Sequence, residues 1–145
     1  MKNSIKHILY ILLFSVSISL VSASCSKDAA SAQVELSYNM LQEKTWYLDY
    51  AQSIVGANVT TRSYIGQSTY FINFLENRST IDSDGITGKY SVANTGGHLS
   101  ISITGKTASG NPVSYNYQVE SMGSKNLVLS FVISGTTYKK FYTAR

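Results

Sequence analysis

His98 is the one histidine outside the N-terminal segment, and a hydrolytic triad would need it oriented by a carboxylate with a serine beside it. The chain holds no G-x-S-x-G turn to present such a serine. His98 follows Gly96-Gly97 where a strand begins, and reads as a surface residue. A zinc site wants three or four His, Cys or carboxylate ligands. With one cysteine and two histidines, no His/Cys set can be assembled. Two carboxylates alone can hydrolyse a glycoside, but Asp49, Glu76, Asp82, Asp84 and Glu120 fall on outward strand positions or in turns. Asp82-Ser83-Asp84-Gly85 starts like a calcium loop whose first ligand would be Thr80, yet Ser91 stands where the loop's closing glutamate belongs. A hairpin turn with Gly85 at positive φ accounts for the same letters. No catalytic residue, metal ligand or cofactor is expected.

Covalent chemistry is expected at one position, Cys25, the only cysteine in the chain. Lys2 and Lys6 make a positive start, Ile8 to Val21 is mostly apolar, and small residues run to Ser24. This is the layout of a secretory signal peptide over 1–24, and the apolar stretch is shorter than the ~20 residues that cross a bilayer. A lone thiol in an exported chain is a liability that acylation removes. Val21-Ser22-Ala23-Ser24-Cys25 resembles a lipobox, which implies lipidation of Cys25 and attachment to the membrane of a bacterial cell envelope. Cys25-Ser26-Lys27-Asp28 resembles a Lys-acidic tag that sends lipoproteins to the outer membrane and its outer face. Small polar residues over 25–33 are expected to form a flexible tether, its first eight residues reaching about 28 Å when extended.

The formal charge is +4, and Lys2 and Lys6 supply two of those charges from the segment that export discards. Lys139-Lys140 is the only adjacent basic pair outside it, and no basic stripe alternates with aromatics, so nucleic acid is not an expected partner.

The remainder must position whatever site exists, and it reads as strands. Leu99, Ile101 and Ile103 oppose Ser100, Ser102 and Thr104. Val113, Tyr115, Tyr117 and Val119 oppose Ser114, Asn116, Gln118 and Glu120. Leu127, Leu129, Phe131 and Ile133 line a third strand. Period-two alternation marks half-buried strands. Less regular strands are expected over 46–51, 59–65, 68–75, 87–93 and 137–143, punctuated by Gly- and Asn/Asp-rich turns. The result is one all-β domain over 34–145, an eight-stranded antiparallel up-and-down barrel. Val34, Tyr38 and Leu41, spaced by four and three residues, predict a short N-terminal helix that plugs one barrel end.

Trp46 near the start of the first strand, the helical plug, eight strands and a terminal Arg145 together resemble the bacterial lipocalin-like lipoproteins. The blocks Tyr70 to Phe74, Asp84 to Tyr90 and Tyr138 to Tyr142 add to the likeness. Lys44 stands where lipocalins proper carry glycine, which points to the wider lipocalin-like group. The resemblance implies that Trp46 opens the barrel and that Arg145 closes it by lying across the indole. Such a cation–π contact is worth ~0.5–2 kcal/mol.

Eleven tyrosines are present, of which Tyr10 lies in the signal segment. Tyr115 and Tyr117 share a face with aliphatic neighbours, and Tyr50, Tyr70 and Tyr90 are expected to point the same way. Two function classes follow. In the first, the lipid-anchored barrel binds a small, largely apolar ligand at its open end, lined by Trp46, Tyr70, Tyr90, Tyr115 and Tyr117. In the second, the interior is packed and the outer surface meets a protein or glycan. An eight-stranded barrel is only just wide enough to be filled by side chains or to hold one small ligand. An internal cavity of roughly 300 Å³ favours the first class, and a solid core removes it.

Overall fold

The structure is a computed structural model that describes residues 28–145. The signal segment and Cys25 lie outside the described residues. A helix over 28–41 (α1) precedes β1 (Thr45–Val55), β2 (Asn58–Ser63), β3 (Phe71–Phe74), β4 (Ser79–Asp82) and β5 (Thr87–Thr95). Then come β6 (His98–Lys106), β7 (Pro112–Met122), β8 (Asn126–Ile133) and β9 (Thr136–Ala144). All pairings between strands are antiparallel, and β1, β3, β4, β5, β6, β7, β8 and β9 close into a ring through β1–β9 pairing. No helix among the described residues is long and apolar enough to cross a membrane.

The expected count of eight is right, but its membership differs. The strand expected over 59–65 leaves the ring: β2 pairs only with β1, beyond the point where β3 takes over as β1's neighbour. Its place is filled by β4, which lacked a sequence signal because the preceding turn contains neither glycine nor proline. Arg78 itself adopts φ 62°, and Asn77 Oδ1 accepts from Ser79 N–H at 3.0 Å. The flexible tether expected over 25–33 overlaps α1. Residues 28–33 are already helical, and Gln33 Oε1 accepts a 2.6 Å hydrogen bond from Asn94 Nδ2, which seats them on the barrel.

α1 plugs one end. Tyr38 and Leu41 are buried while Val34 packs against the core, as their spacing predicts. Beyond β4 the edge of β5 would be left open, and α1 covers it, with Val92 N–H donating to the Tyr38 hydroxyl at 2.7 Å. Trp46 is fully buried and donates Nε1–H to Leu41 O at 2.9 Å, tying strand to plug. Phe74, Ile101, Leu127 and Leu129 fill the adjoining layers.

Two local irregularities shape the ring. A bulge between Leu48 and Tyr50 turns Leu48 inward and Tyr50 outward, so Tyr50 is 39% exposed, contrary to expectation. An extra residue in one strand reverses the face of everything after it. On the opposite wall Gly88 pairs with Gly105, and a Cβ on Gly88 would lie 2.3 Å from Thr104 O. Only hydrogen at both positions permits this close pass of β5 and β6.

Candidate functional site

The end opposite the plug is the mouth. Inward positions on β7, β8 and β9 bring four rings there into a continuous ladder. Tyr115 stacks on Tyr117 (5.9 Å between centroids), Tyr117 meets Phe131 edge-on (5.3 Å), and Phe131 stacks on Tyr138 (5.1 Å). Tyr117 is buried, and the other three are half-buried, showing part of each ring to solvent. Across the mouth stands the Asp82–Gly85 turn between β4 and β5. Asp82 Oδ1 accepts from the N–H groups of Asp84 and Ile86, both at 3.0 Å, and Gly85 has φ +74°. This is the hairpin geometry anticipated for these residues.

Beside the turn lies a hollow of about 40 Å³ lined in part by Leu48, Tyr70, Asp82, Asp84, Lys140 and Tyr142. A water occupies about 30 Å³ in the liquid, so this is room for a water-sized group and not for the body of a ligand. Lys140 points into it. Burial pulls its ammonium below the ordinary 10.5, only partly offset by Asp84 and Asp82. Burial likewise pushes the Asp82 carboxyl up, against the two backbone donors that hold its ionised form. The Tyr117 and Tyr142 phenols are raised chiefly by burial, then by Tyr115 for the first and by Tyr117 for the second, and by the two aspartates. Lys140 Nζ reaches no ion-pair partner among the described residues and lies 6.0 Å from the Phe131 ring centroid. The mouth therefore combines flat apolar surface with one ammonium, two carboxylates and several phenols. Such a set can stack against rings and orient polar groups.

Of the five lining residues expected from sequence, the structure gathers Tyr70, Tyr115 and Tyr117 at the mouth. Trp46 and Tyr90 lie at the plugged end, where Tyr90 packs on Phe74 (4.9 Å) and Tyr38 (5.7 Å) and its hydroxyl meets Gln42 and Leu75 O. They belong to the core because α1 covers them. Arg145 does not lie across Trp46, which points inward while Arg145 follows the strand's outer side. It sits 5.3 Å from the Tyr47 ring and pairs with Asp49 at 3.1 Å, an arrangement that Thr143 joins through its own hydrogen bond to Asp49. Arg145 thus ties the β1–β9 seam from outside, and the cation near the indole is Lys44, 5.7 Å away. His98 is exposed.

Sequence reasoning missed Lys140, Tyr138 and Tyr142 as members of the mouth. The signal was present: they alternate at 138, 140 and 142 on one face of β9, and the lysine between two tyrosines hid the period. A broader concavity of about 460 Å³ lies on the outer wall, lined in part by Ser100, Asn116, Gln118, Ser130 and Val132. Beside it Ser130 donates to Glu120 at 2.6 Å, which holds that carboxyl below its usual range, and Lys139 pairs with Glu120 at 3.5 Å.

No family model, curated protein or solved structure matches this chain.

Proposed function

We propose that the protein is a non-catalytic interaction barrel of the bacterial cell envelope, lipocalin-like in build and held to the outer membrane through lipidated Cys25. The observation that carries this reading is a filled interior beneath a ring-lined mouth. The hollow inside the barrel is about 40 Å³, well short of the roughly 300 Å³ that encloses a small ligand. Tethering gives the mouth a direction. The chain reaches α1 at the plugged end, where Gln33 meets Asn94, so the mouth and its projecting hairpins face away from the anchor. Those hairpins carry exposed Val55, Val59, Val132 and Ile133, apolar surface of the kind that meets a protein partner.

The aromatic ladder favours a second reading, in which a small, largely apolar ligand lies across Tyr115, Phe131 and Tyr138 without being enclosed. Native mass spectrometry of protein purified from its own cells separates the two. The interaction reading expects the lipidated chain alone, whereas a stoichiometric copurifying small molecule would establish the second. Photo-crosslinking in cells through a reactive residue at Tyr138 should then give a discrete protein adduct that the same residue at Ser102, on the outer wall, does not give. Cys25→Ala should release the folded domain from the membrane fraction, and unchanged association would remove the anchor from the proposal.

A further inference from the structure

β2 is the one described strand with a single partner. Every other strand is paired on both sides, while Asn58–Ser63 pairs with β1 alone, and all six of its residues are exposed. Natural sheets blunt such edges with lysine, proline, a bulge or a covering element. Asn58-Val59-Thr60-Thr61-Arg62-Ser63 carries neither lysine nor proline, and its register with β1 runs without a shift. Four of the six are β-branched or arginine, and none is glycine.

The free side can be assigned residue by residue. Tyr64 donates its N–H to Asp49 O at 2.7 Å. Alternation in an antiparallel ladder then turns the backbone groups of Arg62 and Thr60 toward β1, and those of Val59, Thr61 and Ser63 away from it. Three donors and three acceptors are therefore presented in a row. Val55, Val59 and Ile65 lie close along the chain, each 56% exposed. Arg62 rests 5.2 Å from the Tyr64 ring and forms no ion pair among the described residues.

We propose that the free edge of β2 takes an extended segment of a partner protein as an added strand, with a β-branched side chain beside Val59 and an acidic one facing Arg62. Strand addition draws its affinity from main-chain hydrogen bonds and its specificity from alternate side chains. The unpaired guanidinium selects the acidic partner. A second copy of this chain fits worse. Two-fold antiparallel pairing of β2 with itself would turn the two plugged ends, and both tethers, in opposite directions. The inference rests on the tethered interaction-barrel reading.

The test presents full-length protein in mild detergent to a displayed library of random short peptides. Enriched peptides are synthesised and their affinities measured by fluorescence anisotropy. Peptides alternating β-branched residues around an aspartate or glutamate are expected. Thr61→Pro, which deletes an outward N–H and leaves the backbone ladder to β1 in place while losing the exposed Gln52 Nε2–H bond to Thr61 Oγ1, should weaken them about tenfold. Arg62→Glu, at an exposed position whose backbone pairing is unchanged, should reverse the preference from acidic to basic peptides. Peptides whose binding survives both changes but is lost with Phe131→Ala would overturn strand addition while leaving the interaction-barrel reading intact. Enrichment of no peptide would overturn strand addition, and a small molecule on the natively purified protein would overturn the reading beneath it.

Discussion

Replacing Tyr38 by phenylalanine deletes one oxygen and isolates one contact. The ring stays, so its packing against Tyr90 at 5.7 Å and the Arg78 guanidinium 3.2 Å from its centroid are retained. What is lost is the acceptor for Val92 N–H, a 2.7 Å bond in the buried zone where α1 replaces a strand at the edge of β5. Both Tyr38 and Val92 are less than a tenth exposed, so solvent does not readily take the oxygen's place. An orphaned buried donor costs about 1–3 kcal/mol. For a domain of this size that moves a urea midpoint by about 1 M at unchanged slope. Equilibrium unfolding followed by circular dichroism measures the loss. Hydrogen exchange at the Val92 amide locates it, because that amide should lose protection while those of β8 keep theirs. A midpoint within experimental error of the parent, with Val92 still protected, would mean that α1 does not stand in for the missing strand neighbour, and the account of the plug would fail.

Gly88→Ala should cost about 3 kcal/mol by forcing β5 and β6 apart at Thr104. Gly123→Ala, where an added Cβ meets nothing within 4 Å, should be neutral to within about 0.5 kcal/mol in the same denaturation assay. Burial holds the Tyr117 and Tyr142 phenols above their ordinary 10.0. A folded value above the unfolded one means stability that is intact below about pH 10 and drains away as pH rises further. Absorbance at tyrosinate wavelengths should therefore show these two phenols ionising only as the barrel opens. Lys140 acts with the opposite sign, since its folded value is depressed and its contribution improves as pH rises toward 10.5. Lys140→Met should accordingly steepen the alkaline loss, and an unchanged slope would place that side chain in solvent.

Much of the architecture was legible one strand at a time. Leu99 to Thr104, Val113 to Glu120 and Leu127 to Ile133 alternate so regularly that only a half-buried strand satisfies both faces, and they became β6, β7 and β8. Val34, Tyr38 and Leu41 showed a helical stripe because one apolar face is all a plug requires. The candidate mouth was only partly legible. Tyr115, Tyr117 and Phe131 were readable as inward, but Tyr138, which completes the ladder, comes from a strand whose alternation Lys140 obscures.

Local chemistry determined the strand pattern, the turn at Asp82–Gly85 and the helical stripe, because each depends on residues within a few positions of one another. Tertiary structure alone decided which strands closed the ring. One bulge after Leu48 reversed a face, a short turn without glycine supplied β4, and β2 was left outside. It also separated Trp46 and Tyr90 from Tyr70, Tyr115 and Tyr117, and set Lys140 against Asp82 and Asp84. Those outcomes depend on stagger around a closed sheet, a property of all the strands together that no single stretch of chain encodes.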